Sequence, residues 1–189
     1  MKKTTLAILG IMTASTLCTA QEMNLNCEAK HQVRSTFFKD NDKIAYEVGK
    51  GRSGNGFRIV HPANPNNPKA KDIGFHAHGS CRIKVESVSK PVRTQVYLKG
   101  KGKGSFGLLA FDKQQKIFYP YGFRKKFELN SPDKWTLLEF TYTPKAGSDY
   151  AARIGSVLPY ISLAPGSDFL LDDWETKFLD ENKTITIED

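Results

Sequence analysis

Cysteine, methionine, tryptophan and histidine are scarce in this 189-residue sequence, at three, three, two and four residues. Beyond residue 20, apolar residues almost never recur at the three- and four-residue spacing of an amphipathic helix, which excludes a helix bundle and an alternating α/β fold. Over the same stretch no apolar run approaches the roughly 20 residues a helix needs to cross a bilayer. Gly-x-Ser-x-Gly is absent, and with it the nucleophile elbow of an α/β-hydrolase. There is no internal repeat, long linker or shift of composition, so residues 21–189 read as one domain.

Residues 1–20, MKKTTLAILGIMTASTLCTA, have a basic start at Lys2 and Lys3, an apolar run from Leu6 to Met12 and small residues up to Ala20. That is the layout of a secretory signal peptide cleaved before Gln21. The expected location is outside the cytoplasm: secreted, periplasmic or at the cell surface. Cys18 leaves with the signal, and the remaining pair, Cys27 and Cys81, reads as a disulfide in an oxidising compartment, with two buried thiols as the alternative. A bridge closing so long a loop would stabilise the fold by roughly 4 kcal/mol in the chain-entropy picture.

What the chain does have is short stretches of alternation. IAYEV (44–48), GFRIVH (56–61), CRIKVESVS (81–89), VRTQVYLKG (92–100), FGLLAF (106–111), FRKKFEL (123–129), WTLLEFTYT (135–143), ARIGSV (152–157) and DFLLDDWETKFL (168–179) are separated by turn signals. These include Gly100–Gly104, Ser131-Pro132-Asp133 and Pro165-Gly166. Nine short strands with one apolar face each predict an all-β antiparallel sandwich or barrel. The tail ENKTITIED, essentially residues 180–189, has β-branched alternation and reads as an added edge strand or a partner-binding tail.

The order SGNGFRI (53–59), VRTQVYLKGKGKGSFGLLAFD (92–112), DKWTLLEFTYTP (133–144) and FLLDDWETKFL (169–179) resembles that of the galactose-binding-like jelly roll, and more narrowly carbohydrate-binding modules of families 4, 9 and their relatives. The resemblance implies an antiparallel β-sandwich of jelly-roll topology, a non-catalytic carbohydrate-binding role and a structural role for Trp135. It also bears on Asp172 and Asp173. Strand alternation sends one of two adjacent aspartates toward the core, where a carboxylate must be paired, hydrogen-bonded or metal-bound. By the resemblance Asp172 holds a structural calcium ion, with Glu28 as a partner ligand; the other reading is that Asp172 accepts hydrogen bonds from a neighbouring loop or pairs with an arginine. Asp173 is placed on the solvent face.

Catalytic patterns are sparse. His76 and His78 share a strand face and could start a metal site, but no third ligand follows at a useful spacing. Asp173 and Glu175, two residues apart, lie about 7 Å from each other on a strand, within reach of an inverting glycosidase pair, a spacing common on solvated faces. The chain is expected not to be an enzyme.

KIFYPYGFRKKF (116–127) interleaves aromatic rings with cations, as small-ligand sites do. Tyr119, Tyr121 and Arg124 are therefore expected to bind ligand, with Trp174 either a fourth ligand residue or core. The charge balance is basic, +8 overall, and is concentrated in KGKGKG (99–104) and RKK (124–126). Such patches steer a protein toward acidic polymers, and export favours an acidic glycan over nucleic acid. The Gly-Lys run also reads as a hairpin tip that resists edge pairing. A cell-surface assembly or adhesion subunit binding protein is the other functional reading; it would show a flat apolar patch.

Overall fold

A computed structural model describes residues 22–27, 30, 32–36, 42–67, 69–78, 82–84, 90–118, 123–143 and 152–179. They form β1 (Glu22–Leu25), β2 (Val33–Ser35), β3 (Ile44–Glu47), β4 (Gly56–His61), β5 (Ile73–Ala77), β6 (Ile83–Lys84), β7 (Val92–Asp112), β8 (Ile117–Phe118), β9 (Arg124–Tyr142), β10 (Ile154–Leu163) and β11 (Ser167–Phe178). Every strand pairing is antiparallel. No helix among the described residues is long and apolar enough to cross a membrane.

Strands β7 and β9 hold the architecture together. β7 pairs with β9 from Val92↔Tyr142 to Gly107↔Arg124. On its other side the first half of β7 pairs with β11, up to Lys101↔Asp168, and the second half with β10, from Gly104↔Leu163. The first layer is thus β3-β4-β11 with the first half of β7, and the second is β2-β5-β10 with the second half. Fully extended, the 19 residues of β9 would span about 60 Å, yet the rings of Phe123, just before the strand, and Tyr142, at its end, lie 4.0 Å apart. The β7–β9 ribbon is bent double, so its two halves face each other across the core.

The bend falls on Gly100–Gly104, which the sequence reading took for a hairpin tip. All five are instead paired with β9, and Gly100, Lys101 and Gly104 are paired on the other side as well. At Gly100 and Gly102, φ is 145° and 137°, and a Cβ on Gly102 would stand 2.6 Å from Ser167 Cα. Glycine is required because the backbone of β11 passes against the inner side of the corner. The expected Ser131-Pro132-Asp133 turn is likewise internal to β9. Its register jumps from Leu98↔Thr136 to Gly100↔Ser131, so residues 132–135, including half-buried Trp135, bulge from the ribbon.

Between the layers lie Phe57, Ile59, Leu98, Phe106, Leu108, Ile161, Phe169, Leu171 and Trp174, all almost fully buried. Rings meet across the gap: Phe127 with Phe169 at 5.9 Å and Phe106 with Trp174 at 6.3 Å. Trp174 is therefore core, not ligand platform. Its indole N–H donates to Thr94 Oγ1 at 3.3 Å, and Thr176 Oγ1 donates to the same oxygen at 2.8 Å, so the polar atoms beneath the ring are satisfied.

Candidate functional site

The second layer departs from simple alternation. Residues 106–112 of β7 are buried on both faces, and so are nearly all of β10. Phe106, Leu108, Val157 and Ile161 fill the inner face. On the outer face, Leu109, Phe111 and Leu158 are covered at one end, where the Arg82 guanidinium lies 3.7 Å from the Phe111 ring centre and donates to Gln115 Oε1.

The other end of this face is polar. Register places Arg34 of β2 opposite His76 of β5, His76 opposite Tyr160 of β10, Tyr160 opposite Gly107 of β7 and Gly107 opposite Arg124 of β9. Directly opposed residues share a face, so one row of side chains crosses five strands. A second row runs Gly74, Ser162, Ser105, Lys126, with Thr36 beside it through a 2.8 Å bond from its N–H to the Gly74 carbonyl. Gly107 carries no side chain, so Arg124 reaches across to the Tyr160 ring, 5.0 Å from its centre. Gly74 likewise leaves the space in which the Tyr160 ring lies: a Cβ there would be 2.7 Å from Thr36 Oγ1 and 2.8 Å from Tyr160 Cε2.

Ser105 and Ser162 hydroxyls are bonded at 2.7 Å. His76 Nδ1 lies 2.6 Å from the Ala77 carbonyl, and burial, ahead of the nearby Arg82, His78 and Arg34 charges, lowers its pKa. Thr36 Oγ1, the Nε atoms of Arg34 and Arg82, and Ser156 Oγ are buried and have no hydrogen-bond partner. Buried polar atoms normally find partners; two of these four, Arg34 Nε and Thr36 Oγ1, adjoin the rows, and the other two lie at the covered end. Among the described residues the two rows carry cations, hydroxyls and one aromatic ring but no carboxylate.

Of the expected ligand residues, Arg124 lies in the first row, against the Tyr160 ring. Tyr119, Tyr121, Glu28 and Cys81, along with the 180–189 tail and the signal segment, lie outside the described residues. His76 and His78 do share the outer face, but no group of three His, Cys, Asp or Glu side chains that could hold a metal occurs among the described residues. Tyr160, Arg34 and Thr36 escaped the sequence reading. β2 has three residues, too few for a visible period. The reading also ended the strand at Val157, whereas LPYISL continues it, with Tyr160 and Ser162 alternating against Ile161 and Leu163.

The aspartate pair resolves differently from the alternation argument. Between Asp172 and Glu175 the β11–β7 register shifts by one residue, a bulge in which Asp173 takes φ 47°. The bulge lets neither aspartate enter the core. Asp172 pairs with Tyr97 on the outer face of the first layer but is fully buried beneath residues 51–55. Its Oδ2 accepts the Arg52 N–H at 2.6 Å and its Oδ1 the Asp173 N–H at 2.8 Å. Arg52 pairs with Asp173 at 2.6 Å while its guanidinium lies 3.5 Å from the Tyr97 ring centre. Burial, then the Asp172 carboxylate that its thiol bonds, pushes the pKa of Cys27 far up. The described residues do not fit a calcium ion: both Asp172 oxygens accept amide N–H groups and a guanidinium stands nearby, where calcium needs six to eight oxygens. Asp172 is held by a loop, the second of the two readings. Glu175 is bonded by Gln95 at 2.6 Å and Lys177 at 2.6 Å, and with Asp173 tied to Arg52 both carboxylates are engaged as acceptors.

No protein-family model matches the sequence, and none of the curated proteins searched matches it. Solved structures do. A xylan-binding domain of carbohydrate-binding family 22 has a TM-score of 0.51 at 11% identity, covering 82% of this chain and 93% of that one. The C-terminal family 22 module of Clostridium thermocellum Xyn10B gives 0.52 at 10% identity, covering 82% and 91%. A family 11 carbohydrate-binding module from Clostridium thermocellum, in complex with a mixed-linked tetrasaccharide, gives 0.46 at 14%, covering 82% and 95%. Against longer chains, a Clostridium thermocellum xylanase 10B with CBM22-1 and GH10 modules and a bacteriophage CBA120 tailspike protein, this chain spans only 26% and 20% of their length. The fold is an all-β antiparallel jelly roll, and its neighbours belong to families 11 and 22 where the sequence resemblance pointed to 4 and 9.

Proposed function

We propose that the chain is an exported, non-catalytic carbohydrate-binding module whose ligand lies across the outer face of the second layer, with acidic glycans preferred. The observation that carries this is the in-register row Arg34–His76–Tyr160–Arg124 beside buried, unpartnered polar atoms. Sugar sites pair an aromatic surface with a few convergent polar groups, and guanidinium groups at both ends of the row favour carboxylate or sulfate substituents. That a neighbour of the same fold is named for binding xylan supports the class of ligand. Tyr119 and Tyr121, which lie outside the described residues, are proposed as ligand residues on their sequence pattern alone.

Calorimetric titration with xylan, mixed-linkage glucan and polygalacturonate tests it. Saturable binding that Tyr160→Ala and Arg124→Ala each weaken at least tenfold, with folding intact, is expected; no binding to any of the three overturns the proposal. Intact mass of the secreted protein, with and without reductant, checks cleavage before Gln21 and decides between the expected Cys27–Cys81 bridge and the buried Cys27 thiol that the structure holds against Asp172. The assembly-subunit reading calls for a flat apolar patch, whereas the exposed large apolar residues described, Val48, Ile117 and Leu137, lie on three separate elements.

A further inference from the structure

The corner of the β7–β9 ribbon carries a feature that the platform does not use. Glycine is explained there at residues 100, 102 and 104, because the inner side of the corner has no room for a side chain. Nothing in the packing explains why the intervening outward positions are all lysine; any polar residue would satisfy the fold. Lys99, Lys101 and Lys103 stand at alternate positions of β7, Lys99 paired with β11, Lys103 with β9 and Lys101 with both, so they are spaced about 6.7 Å apart on a strand support. A loop of the same composition would not hold that spacing.

Three shallow grooves follow one another along this edge. The first is lined by Lys99, Lys101 and Asn130, the second by Lys101, Lys103 and Asn130, and the third by Lys103, Ser105 and Lys126. Shared lining residues make them one trough. Of the acids along it, Asp168 holds Arg58 through two bonds of 2.9 and 2.5 Å and Glu47 holds Lys50 at 2.8 Å, while Glu128 lines the second and third grooves and Asp72 the third. No described carboxylate comes within ion-pairing distance of Lys99, Lys101 or Lys103.

We infer that this lysine ladder is a second binding track, adjoining the platform at Ser105 and Lys126 but independent of its Arg34–His76–Tyr160–Arg124 row, for a linear anionic polysaccharide bearing uronate or sulfate groups. A concave trough suits a chain better than a flat membrane surface. Its aromatic lining residue, Phe127, packs inward on Phe169, so the trough offers no exposed ring for stacking nucleic-acid bases. The inference stands on the ladder alone and does not require the platform.

The test compares the purified protein with K99Q/K101Q/K103Q and with the corresponding triple arginine variant. The probes are dextran sulfate, polygalacturonate, neutral xylan, a single-stranded oligodeoxynucleotide and phosphatidylglycerol vesicles. Losing three exposed charge contacts is expected to weaken binding to both anionic polysaccharides by roughly fivefold or more at low salt and to flatten its salt dependence. The arginine variant should retain binding, and xylan binding and the melting temperature should not change. Unchanged polysaccharide affinity in the glutamine variant overturns the inference, as does tighter lysine-dependent binding to the oligonucleotide or the vesicles. Loss of polyanion binding in Tyr160→Ala but not in the glutamine variant would assign it to the platform instead. Loss of xylan binding in Tyr160→Ala alone leaves the ladder standing.

Discussion

Gly74→Ala isolates the platform more cleanly than removing any of its side chains. The new methyl would lie 2.7 Å from Thr36 Oγ1 and 2.8 Å from Tyr160 Cε2, against a favourable separation between carbon atoms of about 3.5–4.0 Å. β5 is paired on both sides and cannot retreat, so the Tyr160 ring has to swing outward by about 1 Å, away from Thr36 and into Arg124. Overpacking of this kind costs about 1–3 kcal/mol. Urea unfolding should show a loss near 2 kcal/mol at unchanged m-value, and titration with the best-binding glycan a loss of at least tenfold, or about 1.4 kcal/mol. A double-mutant cycle assigns the cause: in a Tyr160→Ala background only the Thr36 hydroxyl contact remains, and Gly74→Ala should then cost about half as much or less. The reasoning is refuted if the substitution costs as much without the tyrosine, or if stability falls by the full amount while glycan affinity holds.

Asp172→Ala should cost about 2–5 kcal/mol in thermal or urea unfolding, because the Arg52 and Asp173 amides lose their acceptor beneath the loop; chelation of the wild-type protein should leave its midpoint where it was. Trp174→Ala should cost about 3–5 kcal/mol and leave Thr94 and Thr176 facing a cavity, with loss of near-ultraviolet dichroism as the readout. His76 faces Arg34 across β2 and Tyr160 across β10, with His78 and Arg82 adding positive charge, and burial lowers its pKa. A depressed histidine pKa means the unfolded chain takes up the proton first. Its contribution is thus whole above pH about 6.5 and lost as pH falls toward the folded-state value, and His76→Gln should flatten stability between pH 7 and 5.

The jelly roll was legible because β4 and most of β11 alternate cleanly, and an apolar face of period two has few other uses. The sequence was misread where a strand carries turn residues for a tertiary reason. Gly100–Gly104 and Ser131-Pro132-Asp133 look like chain reversals, yet one is a corner under contact from β11 and the other a bulge on an outer strand. Trp174 kept two readings in the sequence because a single extra residue in a bulge switches the faces of everything beyond it, and Asp172, just before the bulge, kept two because the loop that covers it is distant in sequence. Of the proposed platform, the sequence singles out Arg124 through its aromatic neighbours. Tyr160 was hidden because β10 is buried on both faces and so shows no alternation in hydropathy, and Arg34 because its partners are distant in sequence.

The doubled ribbon has a kinetic consequence. β7 and β9 each belong to both layers, so neither layer can assemble, or come apart, without most of the other. Nearly every pairing closes a long loop, from β2 on β5 to β1 on β11, which predicts slow, high-contact-order folding. The amides of Leu98 and Leu108, on opposite sides of the corner, should accordingly exchange with solvent at one common rate, through global opening rather than layer by layer.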